Sequence, residues 1–207
     1  MKIRDFERIG REIGAFLPGF EAKGQLLFAN PVGDILRGFF FDGSDYSRTA
    51  FRIVGFFQPL FPAMNHVHLT FGERLRDDSG RDGWDAAQPD FMSSLRRAVL
   101  VEAPRIQAVK DATSAAVILF ATKSENLHGA EAYAQCLARS NNVSAAQVEW
   151  SQLAGRLERN IVWQEDMLAR IEALSAAFSV SDDKGNELLD TWANATRLAL
   201  GLPDSHK

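Results

Sequence analysis

NHVHLTFGERL (Asn65–Leu75) alternates apolar and polar residues and holds two of the chain's four histidines, one residue apart. Alternation with a period of two is the pattern of a half-buried strand. Read this way, Val67, Leu69 and Phe71 point to a core, while His66, His68, Thr70 and Arg74 share the opposite face. The stretch is the last of four similar runs. GQLLFAN (Gly24–Asn30), DILRGFFFDGS (Asp34–Ser44) and AFRIVGFFQPLF (Ala50–Phe61) precede it, with turn residues at Asn30–Gly33, Asp42–Asp45 and Phe61–Ala63 between them. Links this short pair neighbouring strands antiparallel, because parallel neighbours need long crossovers. Pro59 brings no N–H to a ladder, so the third strand is expected to end or bulge there.

Upstream, Ile3, Phe6, Ile9, Ile13 and Phe16 recur at spacings of three and four with charges between them. That spacing predicts an amphipathic helix with one apolar stripe, stopped by Pro18-Gly19. Its wet side carries Glu7 with Arg11 and Arg8 with Glu12, four residues apart. Downstream, RDDSGRDG (Arg76–Gly83) is a polar break, and the chain beyond it is helical in pattern. Helices are expected from Pro89 to about Ala103, from Pro104 to Thr122 and from His128 to Ser140. Ser144 and Gln147 form a capping box that opens the stripe Trp150, Leu153, Leu157, Ile161, Gln164, Leu168, Ile171, Leu174 and Phe178. That stripe is one long helix or two parted near Asn160, and a last helix runs from Ser181 to Gly201. The expected fold is α+β: an N-terminal helix with a four-stranded antiparallel sheet over residues 1–83, then an all-helical part over 84–207 that packs on the sheet.

The 207 residues are 46% hydrophobic and 24% charged, enough apolar material for a sizeable core. Fifteen phenylalanines against two tyrosines favour packing over polar recognition. Cys136 is the only cysteine, which excludes an internal disulfide and multi-cysteine zinc, and suits a small buried residue in a reducing compartment. The N-terminus spreads its charges and lacks a secretory pattern. The longest apolar run, Ala115–Ala121, is far short of the ~20 residues of a membrane span. A cytoplasmic chain with no membrane association is the expectation. The net charge of −4 is unevenly spread: residues 1–76 hold ten Lys/Arg and eight Asp/Glu, residues 77–207 thirteen and nineteen. This balance disfavours a general nucleic-acid binder.

His66 and His68 are the first candidate site. Two imidazoles aimed the same way are half of a metal centre, but a centre needs a third ligand. The strand region offers Asp34, Asp42, Asp45 and Glu73, with Glu73 on the wrong face; His128 lies in a remote segment and His206 on the tail. No metal or other cofactor is therefore expected, and a metal at His66 and His68 is the alternative. Arg37, Arg52 and Arg74, among aromatic rings, are the candidates for gripping phosphates, against pairing with the acidic C-terminal half. Trp163 sits off the helical stripe and is a candidate exposed anchor. The sequence holds no phosphate loop, nucleophile elbow or paired-cysteine motif, so no catalytic residue is assigned.

The order helix, GFEAKG (Gly19–Gly24), strand meander resembles bacterial domains of unknown function, some of them in toxin-immunity or phage-defence neighbourhoods. FQPLFPAMNHVHLTFGERL (Phe57–Leu75) and TWANATRLALGLP (Thr191–Pro203) are similar to segments of such domains. The resemblance implies a protein-binding role and brings no catalytic residues. The leading functional expectation is a non-enzymatic interaction or accessory module whose partner is another protein, with self-association open. An enzyme or small-ligand binder using His66 and His68, and nucleic-acid binding through the three arginines, are the alternatives.

Overall fold

In the computed structural model, which describes residues 1–123 and 126–203, the chain forms two compact units. The first comprises Met1–Gln58 and Phe71–Val109; the second comprises Pro59–Thr70 and the chain from Lys110 onward. The division therefore does not fall at residue 83. One later helix belongs with the sheet, and twelve residues of the strand-like region belong with the helices.

The first unit is built on helix α1 (Ile3–Gly14) and strands β1 (Phe20–Lys23), β2 (Leu26–Ala29), β3 (Ile35–Gly43), β4 (Ala50–Pro59), β5 (Gly72–Arg74) and β6 (Trp84–Asp85), closed by helix α2 (Phe91–Ala108). The sheet runs β1-β2-β3-β4-β5, with β6 also pairing β4. The antiparallel meander over the second to fourth elements is as the turn chemistry requires. Phe6, Ile9 and Ile13 from α1 pack with Leu27, Phe39, Phe41, Phe51 and Ile53 of the sheet and with Leu95, Val99, Ala103 and Ile106 of α2. The rings of Phe6, Phe41 and Phe51 lie 5.9–6.4 Å apart.

Three local expectations change. The run Asn65–Leu75 is not one strand: only Gly72–Arg74 pairs with β4, preceded by a 3-10 turn at Leu69–Phe71. The ladder ends at Phe56↔Gly72, and β4 itself ends three residues later at Pro59, which has no N–H to donate. Phe57 and Phe71 keep only a stacked ring contact at 5.7 Å. Val67, Leu69 and Phe71 are consequently half-buried, not core, and the histidines leave the sheet. Second, α2 continues through Pro104, giving up the bond to the Leu100 carbonyl. Its buried positions Leu95, Val99, Ala103 and Ile106 hold one face across the proline. Third, β1 is a strand of its own, paired Phe20↔Ala29 to Lys23↔Leu26 through a tight turn at Gly24, whose φ is +58°.

The second unit contains α3 (Ala112–Thr122), α4 (Leu127–Arg139), α5 (Val143–Ala154), α6 (Val162–Val180) and α7 (Asp182–Leu200). The long stripe is thus two helices. Their break spans 155–161, and the Gln164 side-chain oxygen accepts the Glu158 N–H at 2.7 Å. α5 opens after Asn142, two residues ahead of Ser144, and the Ser144 capping box does not form. Ser181 caps α7 by accepting the Lys184 N–H, and Gly201 ends it at φ +61°. Among the described residues, no helix is long and apolar enough to cross a membrane.

Candidate functional site

The histidines withdrawn from the sheet gather in the helical unit. The segment Pro59–Thr70 is irregular there, and Thr196 of α7 fixes it: its buried hydroxyl donates to the Pro62 carbonyl (3.2 Å) and accepts the Met64 N–H (3.0 Å). This clamp sets the course of the next four residues, which carry His66 and His68. Asn65 hydrogen-bonds His66 Nδ1 at 2.8 Å, and Thr70 hydrogen-bonds His68 Nδ1 at 3.2 Å.

His128, the histidine that sequence separation made remote, completes the group. It lies in the first turn of α4, whose N-cap Asn126 accepts the Gly129 N–H. The rings form a ladder: His66 to His68 at 4.7 Å, His68 to His128 at 4.8 Å, and His128 stacked on Trp163 at 5.0 Å and 28°. Trp163 stands in the first turn of α6 with 43% of its surface exposed. These rings line an open cleft of about 610 Å³ together with Asn65, Asp166 and Arg170, and with Ala195 and Ala199 of α7 on the wall made by small side chains.

Beneath the ladder lies a polar network. Glu131, one turn after His128 on α4, is 1% exposed, and Arg170 grips both its oxygens, Nε to Oε1 at 2.7 Å and a terminal nitrogen to Oε2 at 2.9 Å. Gln135, fully buried one further turn along, donates to Glu131 Oε1 at 3.3 Å. Burial opposes the Arg170 charge, but the hydrogen bonds and charge of Glu131, with Asp166 nearby, prevail and raise its pKa. A bidentate fork of this kind is the strong form of the ion pair.

The imidazoles respond in the opposite direction. Desolvation first, and then the neighbouring imidazoles of His128 and His66, push His68 down from 6.5 to about 4. Burial also lowers His128, with Arg170 and His66 adding to it and Glu131 opposing. Buried His128 Nδ1 has no hydrogen-bond partner, so a proton placed there would find no acceptor. Both rings are neutral near pH 7. On unfolding they regain ordinary basicity, so between pH 6.5 and about 4 the unfolded chain binds more protons than the folded one. Stability is then present above 6.5 and falls as pH drops through that window. Urea midpoints measured across it are expected to decline with acid in the wild type and less steeply in His68→Gln.

Compared with protein-family models, curated proteins and solved structures, the chain matches none.

The geometry sorts the expected site residues. His66, His68 and Trp163 come together. Among the described residues, however, no three His, Cys, Asp or Glu side chains are arranged to hold a metal ion. The imidazoles meet ring against ring, and do not direct nitrogens to a shared point ~2 Å from each. His206 lies outside the described residues. The three arginines are not one patch. Arg37 alternates with Phe39 and Phe41 on the α1 side of the sheet, while Arg52 lies on the side opposite Phe51 and Ile53. Arg74, paired with Val54, shares the Arg52 side, and both reach Asp82, at 3.6 and 3.3 Å. Sequence reasoning missed His128, Glu131, Asp166, Arg170 and Thr196. The readable signal was spacing: His128, Glu131 and Gln135, and likewise Trp163, Asp166 and Arg170, sit at i, i+3 and i+7, one polar stripe on each helix.

Proposed function

We propose that this chain is a cytoplasmic, non-enzymatic binding module that docks a protein partner through the imidazole–indole cleft. The observation that carries this is Trp163: a large aromatic side chain, 43% exposed, seated on His128 at the end of a four-ring ladder. Anchors of protein interfaces are enriched in tryptophan, and they cost least to use when the free protein already holds them in place. The ladder and the Arg170–Glu131 pair beneath it supply that pre-ordering. An accessory or immunity-like role of bacterial type agrees with the resemblance carried by Gly19–Gly24 and Phe57–Leu75.

Affinity purification of the full chain from its native host is expected to return a stoichiometric protein. Trp163→Ala is expected to weaken that complex by about 2 kcal/mol, roughly thirtyfold, without lowering the urea midpoint. Recovery of the lone chain, or undiminished affinity of the variant, contradicts the docking role.

A further inference from the structure

The chain's net charge resides in one unit. The helical unit has nine Lys/Arg against thirteen Asp/Glu, whereas the sheet unit balances fourteen against fourteen. The charged groups lining the cleft are Asp166 and Arg170, and the Arg170 guanidinium is already held at two points by the buried Glu131, which leaves the Asp166 carboxylate to face a ligand. The loop contributes His66 and His68, α4 contributes His128, and the α7 wall is Ala195 and Ala199.

Trp163 and Asp166 lie three residues apart on α6, so the carboxylate stands beside the indole on one helix face. His128 stacks on that indole, and 43% of the Trp163 surface stays exposed. A tryptophan face is the best aromatic seat for a cation, and a carboxylate one turn away adds a direct charge partner. The alanine wall leaves room for a long aliphatic stem. An anionic group would meet Asp166 instead, and a neutral ring would leave it unused.

We infer that the cleft takes a cationic side chain, the guanidinium or ammonium of an arginine or lysine on the partner protein, laid on the exposed part of Trp163 with its charge toward Asp166. This rests on the docking role above and names what is docked. Partner recognition is then charge-selective. It is also weakened by acid, because protonating His68 adds positive charge to the cleft lining.

The test uses the full-length chain and two acetylated, amidated tripeptides, Gly-Arg-Gly and the same peptide with citrulline, the neutral isostere of arginine. Binding is read from the indole N–H signal of Trp163 in 15N NMR spectra, assigned with Trp163→Phe. The arginine peptide is expected to shift that signal near pH 7. The citrulline peptide, and the arginine peptide on Asp166→Asn, are expected to bind about tenfold more weakly. Acidification to about pH 4 should weaken binding of the arginine peptide. Equal binding of the two peptides, or no shift with arginine, overturns the inference. A host partner whose binding still depends on Trp163 would in that case leave the docking role standing. Capture of a partner unaffected by Trp163→Ala would remove the docking role, whatever the peptides do.

Discussion

Arg170→Met is expected to destabilise the helical unit by about 3–5 kcal/mol, the cost of leaving one buried charge without its partner. Glu131 is 1% exposed and receives two of its hydrogen bonds from Arg170. After the substitution only the Gln135 amide remains beside it, at 3.3 Å. A single neutral donor does not compensate a desolvated carboxylate. The reverse change is milder. In Glu131→Gln the orphaned guanidinium is 22% exposed and can turn toward water and Asp166, so a loss of about 1–2 kcal/mol is expected. Removing both charges with Glu131→Leu/Arg170→Met should regain most of the single-variant loss, because the penalty lies in the unpaired charge and not in the missing bond. Urea unfolding of the three variants gives the order directly. If Arg170→Met falls within about 1 kcal/mol of the wild type, water reaches Glu131 and the network is not what orders the cleft.

Much of this fold can be read from sequence wherever local pattern and tertiary demand agree. Phe6, Ile9 and Ile13 announce α1 and are buried as the spacing requires, while the outer members of the stripe, Ile3 and Phe16, overhang it at 63% and 45% exposure. The central strands follow from apolar runs between turn residues. The failures share a cause: a distant partner decides the outcome. HVHLTF has the alternation of a strand, yet alternation says nothing of whether the neighbouring strand pairs with it, and the ladder with β4 ends at Phe56↔Gly72. Pro104 reads as a stop, yet the face running from Leu95 to Ile106 is buried on both sides of it, and that burial outweighs one lost bond. The first strand, FEAK, is too short and polar to declare itself without β2 beside it. The site follows the same rule. His66 and His68 were visible as a pair. Their meeting with His128 depends on a loop clamped by Thr196, more than 120 residues away in sequence. What spacing did offer were the polar triplets on α4 and α6, where Glu131 stands among buried Ala130, Ala132 and Ala134. A carboxylate inside an alanine-rich face calls for a partner.

Gly38→Ala is expected to cost the sheet unit about 3 kcal/mol or more, above the ordinary range for one added methyl group. Gly38 faces Phe28 across the β2–β3 ladder. A Cβ there would stand 2.2 Å from the Leu27 carbonyl oxygen and 2.7 Å from Phe28 Cα, both backbone atoms. A side chain can swing aside, but a paired strand moves only by surrendering its hydrogen bonds. The adjacent pairs are Leu27↔Phe39 and Leu26↔Phe40, and Leu27 and Phe39 lie in the core that α1 covers. Displacing β2 therefore loosens the ladder and the α1 packing together. Two other glycines isolate the cause. At Gly72 the added carbon meets the Val54 side chain at 2.5 Å, while the nearest backbone atom, the Gly55 oxygen, is at 3.2 Å, so Gly72→Ala is expected to cost about 1–2 kcal/mol. At Gly33 nothing lies within 4 Å and φ is not positive, so alanine should be neutral or slightly stabilising through the unfolded chain. Denaturant midpoints in the order Gly33→Ala, Gly72→Ala, Gly38→Ala, from highest to lowest, are the expected result. A Gly38→Ala protein as stable as Gly33→Ala would mean that β2 and β3 are not paired in this register, and the core assigned to α1 would have to be rebuilt around a different ladder.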